Sequence, residues 1–320
     1  MSDHSTEATR RENGTASPPA MAAPQGRGPE GPSQPLLHLE GLSKRFKDFH
    51  LDRVGFSLPA GTLMGLIGPN GAGKTTLIKA IVGLVHLDAG QIRFQGRDLI
   101  KEGPKLRRRI AYVPDEPKFA PGARLTTLKN IYAPFYPTWN EGCWKALMAD
   151  FGLDPSAKAK TLSLGQRTRF ALTLAMSREA DLLVLDEPTT GLDPVFRREL
   201  LQRLAGTLNE RRSILFSTHI TSDLEARADL ITLIRDGEVV FSETQDLIRD
   251  RWGLVKGGLE LLDEAVKIGF QGLRTNAHGF EALTDDIETA RRRFAGLALV
   301  ERASLEDILV LLGRRKPHAA

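Results

Sequence analysis

Eight consecutive residues constrain this chain more than any other feature. Gly68-Pro69-Asn70-Gly71-Ala72-Gly73-Lys74-Thr75 fits the pattern G-x-x-x-x-G-K-[ST]. The context supports it: Thr62 to Ile67 is a short apolar run that reads as a strand, and Thr75 to Val82 reads as a helix. Glycines in such a loop let successive backbone N–H groups curl around a phosphate. The helix that follows aims its positive end at the same anion. The pattern assigns Lys74 to the β- and γ-phosphates of a nucleotide and the Thr75 hydroxyl to the Mg²⁺ that accompanies them, with Thr76 beside it in the nucleotide site.

A second landmark sits more than a hundred residues later. Leu182-Leu183-Val184-Leu185 is a continuous apolar run, as expected of a strand buried on both faces, and it ends in Asp186-Glu187. An Asp in that place holds Mg²⁺ in phosphate-loop ATPases. Side chains alternate along a strand, so Glu187 faces elsewhere and is free to orient or deprotonate a water. Alone, such a pair would read as a solvated strand end. The phosphate loop makes the catalytic reading the stronger one.

Residues 1 to 35 are rich in Ser, Thr, Pro, Gly, Ala and charge and hold almost no large apolar residue. They cannot offset the entropy of ordering and read as a disordered tail. Leu36 to Phe46 and Val54 to Leu58 read as strands, as do Gln91 to Phe94 and Ile214 to Phe216. Leu230 to Ile234, Asp236-Gly237 and Glu238 to Phe241 form a hairpin signal. Residues 125 to 160 read as helical with aromatic-rich breaks. The expected fold is α/β: a phosphate-loop NTPase core with an antiparallel β part near its start and a helical subdomain. After about residue 245 the texture changes. Gly258 to Ile268 and Leu305 to Leu312 have helical spacing, and Leu297 to Glu301 looks strand-like. The expected division is a tail over 1–35, a nucleotide-binding domain over 36–245 and a small accessory domain over 246–320.

Composition narrows the function classes. Hydrophobic residues are 41% and charged residues 26%, ordinary for a globular protein. The net charge of +4 suits an anionic ligand or a membrane surface but is no nucleic-acid signature. Arg107-Arg108-Arg109 and Arg291-Arg292-Arg293 read as solvated helix faces. One cysteine, Cys143, makes neither an intrachain disulfide nor a zinc cage, so a reducing cytosol is expected. No apolar run approaches the ~20 residues of a membrane span, and no secretory signal is visible.

Further motifs bring a family into view. Leu162-Ser163-Leu164-Gly165-Gln166 resembles the signature LSGGQ of the ATP-binding-cassette (ABC) ATPases, with Leu164 in place of the first glycine. Locally, Ser163 and Gln166 also make an S-x-x-Q capping box. Gly191-Leu192-Asp193 resembles the family's D-loop, and Ser217-Thr218-His219 its switch histidine at a strand end. The resemblance spans residues 36 to 245. It implies that Ser163, Leu164, Gly165 and Gln166 bind the γ-phosphate of an ATP held by a second subunit, that Asp193 touches that subunit, and that His219 contacts the γ-phosphate. It also implies that Phe46 stacks on adenine, although Phe46 fits a strand core position as well. Phe135-Tyr136-Pro137-Thr138-Trp139 and Val255-Lys256-Gly257-Gly258-Leu259 resemble a branch of bacterial exporter ATPases that includes antibiotic and antimicrobial-peptide resistance subunits.

One position departs from the family. Asp115, followed by Glu116 and Pro117, stands where the family has a Gln. A carboxylate does not donate a hydrogen bond as an amide does. A mechanical hinge is the expected role, with a direct Mg²⁺ contact as the alternative. The resemblance implies an ATP- and Mg²⁺-dependent hydrolase that drives a membrane permease on a separate chain. ATP closes a pair of such subunits, identical or related, and hydrolysis reopens it. The chain is then cytoplasmic and peripheral on the inner membrane face, with no nucleic-acid partner. A soluble cassette ATPase acting on ribosomes or nucleic acid is the competing class. Such proteins often carry two cassettes, coiled-coil insertions or zinc cysteines, and this sequence has one cassette and one Cys. A small-molecule kinase shares the phosphate loop but not the other motifs.

Overall fold

A computed structural model of the chain describes residues 34–225, 227–263 and 269–313. The tail read over 1–35 lies outside them except for Gln34 and Pro35. At the centre is β3 (Leu63–Ile67), all five of whose residues are buried. Its side chains divide between two cores, as a period of two requires: Leu63 and Ile67 enter one and Met64 and Leu66 the other. The apolar runs β7 (Leu182–Asp186) and β8 (Ser213–Thr218) are likewise buried throughout. With β6 (Ile110–Val113), β9 (Leu230–Arg235) and β10 (Glu238–Thr244) they make one sheet in the order β10-β9-β3-β8-β7-β6. Its pairs are parallel except β9–β10, the hairpin expected around Asp236-Gly237.

An antiparallel sheet is built from β1 (Leu37–Arg45), β2 (His50–Leu58), β4 (Ala89–Phe94) and β5 (Arg97–Asp98), in the order β2-β1-β4-β5. Between the two sheets, Leu77, Ile78 and Ile81 of α1 (Lys74–Ile81) pack with Met64, Leu66, Val184 and Leu215. A short helix α2 (Gly103–Arg107) precedes β6. Arg107 is not on a solvated face: its Nε is buried, and its guanidinium lies close against Gly83 and Gly103. Arg109 binds Asp181.

On the other face sit the helices of the expected helical subdomain. The stretch 125–160 resolves into α3 (Leu125–Tyr132) and α4 (Glu141–Asp150), separated by a 3-10 turn at Ala133–Phe135. Pro134 and Pro137 explain the break, since proline offers no N–H to continue a helix. α5 (Leu164–Met176) and α6 (Pro194–Ala205) complete this layer, Phe170, Leu172, Leu200 and Leu204 being fully buried in it.

The C-terminal residues form a third sheet after α7 (Gln245–Arg251). β11 (Gly253–Gly257), β12 (Gly272–Asn276), β13 (Gly279–Thr284) and β14 (Leu299–Arg302) lie antiparallel in the order β12-β13-β11-β14. α8 (Ile287–Arg293) covers one face with Ala290, while Leu254 and Leu283 join the main core beside α9 (Leu305–Gly313). The helix read over Gly258 to Ile268 begins as a single 3-10 turn at Leu259–Leu261, and 264–268 lie outside the described residues. Glu225 accepts from the Leu305 N–H at 3.2 Å, tying the start of α9 to the segment after β8.

Candidate nucleotide site

The loop between β3 and α1 adopts a conformation only glycine takes at low cost. Gly71 has φ 81° and Gly73 φ 109°. A Cβ on Gly73 would sit 2.7 Å from the Phe49 ring, so a side chain is excluded there by space as well. Gly73 stands at the cap of α1 and no side chain caps that helix. Its first N–H groups therefore remain donors for an anion.

Lys74 is buried, and its ammonium donates to Gly68 O at 2.8 Å and lies 3.4 Å from Glu187 Oε1. The Thr75 hydroxyl donates to Asp186 Oδ1 at 3.3 Å, and the Ser217 hydroxyl donates to the same oxygen at 2.7 Å. Ser217 lies on β8, between β3 and β7, so the sheet order sets this contact. Burial pushes the Asp186 carboxyl above the usual carboxylate range, while the two hydroxyls pull the other way.

Asp186 Oδ2 is buried and has no hydrogen-bond partner. One orphan carboxylate oxygen beside a hydroxyl fits a hard cation that takes its other ligands from water and phosphate. Among the described residues, no group of three or more His, Cys, Asp or Glu forms an all-protein cage.

Glu187 turns sharply at the strand end with φ 48°. A non-glycine residue there costs about 1–3 kcal/mol. The cost is met locally, since Glu187 N–H donates to both Ser217 O and Ser217 Oγ at 3.1 Å. The turn sends the Glu187 carboxylate to His219, whose Nδ1 lies 2.8 Å from Oε2, with the Thr190 hydroxyl 3.4 Å from the same oxygen.

These groups share one cleft of about 740 Å³, lined by Phe46, Asp48, Phe49, Pro69, Asn70, Gly71, Ala72, Gly73, Lys74, Thr75, Thr76, Asp115, Glu187, Thr190 and His219. Gly68 and Asp186 lie at its base through Lys74 and Thr75. Phe46 is 43% exposed, so its ring is on the surface and not a strand core residue. Asp115 has its carboxyl pushed up by partial withdrawal from water, then by the charges of Asp186, Glu187 and Glu116.

The structure does not bring Ser163, Leu164, Gly165, Gln166 or Asp193 to this cleft. Ser163 accepts from Gln166 N–H and Gln166 Oε1 accepts from Ser163 N–H, a complete capping box. Asp193 caps α6 through Phe196 N–H and pairs with Arg169 at 3.0 Å. These two helix starts are neighbours, since a Cβ on Gly191 would lie 3.5 Å from Leu164 Cδ2. The sequence reading missed Asp48, Phe49 and Thr190. Phe49 had a signal in the spacing Phe46-Lys47-Asp48-Phe49, which a tight turn closes through Phe46 N–H to Phe49 O at 2.7 Å.

A phosphate loop between β3 and α1, with an acid pair one strand beyond its neighbour, defines a nucleotide-binding α/β protein. Comparison with known proteins agrees. Residues 51–190 match the family described as ABC transporter. The chain is 32% identical over 313 residues to Nod factor export ATP-binding protein I of Ralstonia nicotianae, covering 90% of this chain and 98% of that one. It is 32% identical over 225 residues to lantibiotic transport ATP-binding protein SrtF of Streptococcus pyogenes, covering 66% and 92%. A solved structure described as an ATP-binding subunit of an ABC transporter superposes with a TM-score of 0.62 at 31% identity, over 67% of this chain and 92% of that one. The chain belongs to the ATP-binding subunits of ABC transporters, which bind and hydrolyse ATP to drive membrane permeases. Among the described residues, no helix is long and apolar enough to cross a membrane.

Proposed function

We propose that this subunit powers an exporter, with a permease on a separate chain, through ATP-driven closure of two cassettes. The observation that carries this reading is the division of the motifs. The phosphate loop, Glu187 and His219 line one cleft, with Asp186 bonded to Thr75 of that lining, while the signature at Ser163 to Gln166 and Asp193 lies outside it. A second subunit placed head to tail brings its signature helix end to this ATP. Export is the direction in the names of the Nod factor relative and fits the branch resemblance in the sequence. The residues 36–245 then act as the nucleotide-binding unit and 246–320 as an accessory unit.

In this reading Lys74 and the N–H groups at the start of α1 hold the β- and γ-phosphates. Phe46 stacks on adenine. Asp186 and Thr75 would hold Mg²⁺, which neutralises charge on the phosphates. Glu187 takes the proton of the attacking water at its carboxylate. His219 orients that carboxylate from 2.8 Å and faces the γ-phosphate. Withdrawal from water, then the nearby charges of Asp186 and Glu187, disfavours the ionised form of Asp115, and the role proposed for Asp115 is a mechanical hinge beside Glu116 and Pro117.

The test is a detergent pull-down with Glu187→Gln and ATP. An integral membrane protein co-purifying with the chain supports the reading. Recovery of RNA or ribosomes without a membrane protein would favour the competing class.

A further inference from the structure

The two loops that carry Glu187 and His219 meet a second time, away from the cleft. Asp223 ends the 3-10 turn Thr221–Asp223, which starts two residues after His219. Its carboxylate is only 3% exposed and both oxygens are used. Oδ2 accepts from the Thr189 hydroxyl at 2.8 Å, and Oδ1 accepts from Arg197 Nε at 2.5 Å. Thr189 is itself 2% exposed and lies two residues after Glu187. The tight loop between them closes through Thr190 N–H to Glu187 O at 3.1 Å and Leu192 N–H to Thr189 O at 3.2 Å. Arg197 lies on the first turn of α6, the helix that Asp193 caps.

Neither Asp223 nor Thr189 lines the cleft. We infer that the Asp223–Thr189 pair is a positioning device that fixes the Glu187 carboxylate against His219. The inference rests on the proposed role of Glu187 as the base. Three features make it more than packing. Glu187 sits in a strained left-handed conformation, so its direction depends on what restrains the loop on either side. Ser217 restrains the N-terminal side through Glu187 N–H, and Thr189 is the buried restraint on the C-terminal side. The partner of Thr189 comes from the loop of the histidine that the carboxylate must meet. A buried charge–hydroxyl pair fixes one geometry, because either group left alone is buried without a partner. Arg197 balances the Asp223 charge and carries the same restraint to α6, so the start of that helix and the Glu187–His219 pair move together.

Removing Asp223 would strand Arg197 and risk unfolding, so the test is on Thr189, in the full chain. Thr189→Val keeps the shape and deletes the hydroxyl, and Thr189→Ser restores it. Turnover at saturating ATP, ATP affinity and melting temperature are measured for both, for Glu187→Gln and for the Thr189→Val/Glu187→Gln double variant. Thr189→Val should lower kcat roughly 10- to 100-fold, the scale of a small misplacement of a reacting group. ATP affinity and KM should stay within about threefold, because the phosphate loop is untouched, and Thr189→Ser should return kcat to within about threefold of wild type. In the Glu187→Gln background the valine should add less than about twofold, since residues acting as a unit are not additive. If the valine variant does not fold, Thr189→Ala carries the same expectation without the added methyl. Wild-type kcat in folded Thr189→Val overturns the proposal while leaving the base assignment intact, and so does a loss carried in full into the Glu187→Gln background. Wild-type turnover in Glu187→Gln itself removes the base assignment and the proposal with it.

Discussion

The helices that open at Lys74 and at Leu164 begin in opposite ways. α1 follows Gly73 in a left-handed conformation, and no side chain caps it. α5 follows Ser163, with Gln166 reaching back to complete the box. Both ends carry the positive pole of a helix dipole. The first leaves its donors facing the cleft, where Lys74 adds a full charge. The second satisfies donors with its own side chains and stands outside the cleft, with Leu164 on the surface. In the function proposed above, the difference separates holding a nucleotide from completing its hydrolysis. The first is the proposed grip. The signature end is capped by its own side chains and lies outside the cleft.

The largest expected effect lies in the chemistry that the open end supports. Glu187→Gln keeps the shape and loses the base, so ATP turnover should fall by ~10²–10⁴ with ATP affinity near wild type. Steady-state turnover with equilibrium binding checks it, and loss of binding in parallel would mean that Glu187 belongs to the grip. Lys74→Ala attacks the grip itself. Deleting its charge-assisted bonds should weaken ATP binding by about 100-fold. Unchanged affinity by titration would show that the backbone N–H groups suffice.

Ser163→Ala sharpens the contrast from the other side. It removes the cap of α5 and should cost about 1 kcal/mol of stability in a denaturant melt. ATP affinity of the isolated chain should not change, because Ser163 is outside the cleft, while turnover should drop several-fold. A weakened affinity without any partner would place the signature in the same-chain site.

Asp115→Asn should have the smallest effect, with basal turnover within a few-fold of wild type at every Mg²⁺ concentration. Its folded-state pKa is raised, first by withdrawal from water and then by Asp186 and Glu187. For an acid this sign means that ionisation disfavours the native state as pH rises past the unfolded value of about 3.9. The Asn variant should therefore melt slightly above wild type at neutral pH and together with it near pH 3. A sharply increased Mg²⁺ requirement would instead make Asp115 a metal contact.

The loop between β3 and α1 was legible in the sequence because its pattern is local. Glycine spacing, the lysine and the flanking apolar runs lie within two dozen residues, and the positive φ values at Gly71 and Gly73 are what such spacing demands. Asp186 and Glu187 were legible because a strand buried on both faces ends there. Ser217 was visible only as part of a motif. Its contact with Asp186 spans 31 positions and depends on β8 lying between β3 and β7. The Asp223–Thr189 bond spans 34 positions and joins residue types that also serve as ordinary caps. The burial of Arg107 was hidden for a similar reason, since a run of three arginines reads as a solvated face until Gly83 and Gly103 close on it. In the C-terminal part, β12 is largely exposed, with three of its five residues open to solvent, so no alternating pattern announced it. α9 was legible because six of its nine residues are Leu, Ile or Val at helical spacing and its buried face joins the main core.

The central claim is that the outward signature end of one cassette completes the cleft of another. The most direct measurement is the mass of purified Glu187→Gln in solution, by light scattering after size exclusion, with and without ATP and Mg²⁺. The account predicts a 35.2 kDa chain without nucleotide and twice that mass with it, and reversion to the single mass when Ser163→Arg is added to block the signature end. A chain that binds ATP tightly and keeps its single mass would contradict it.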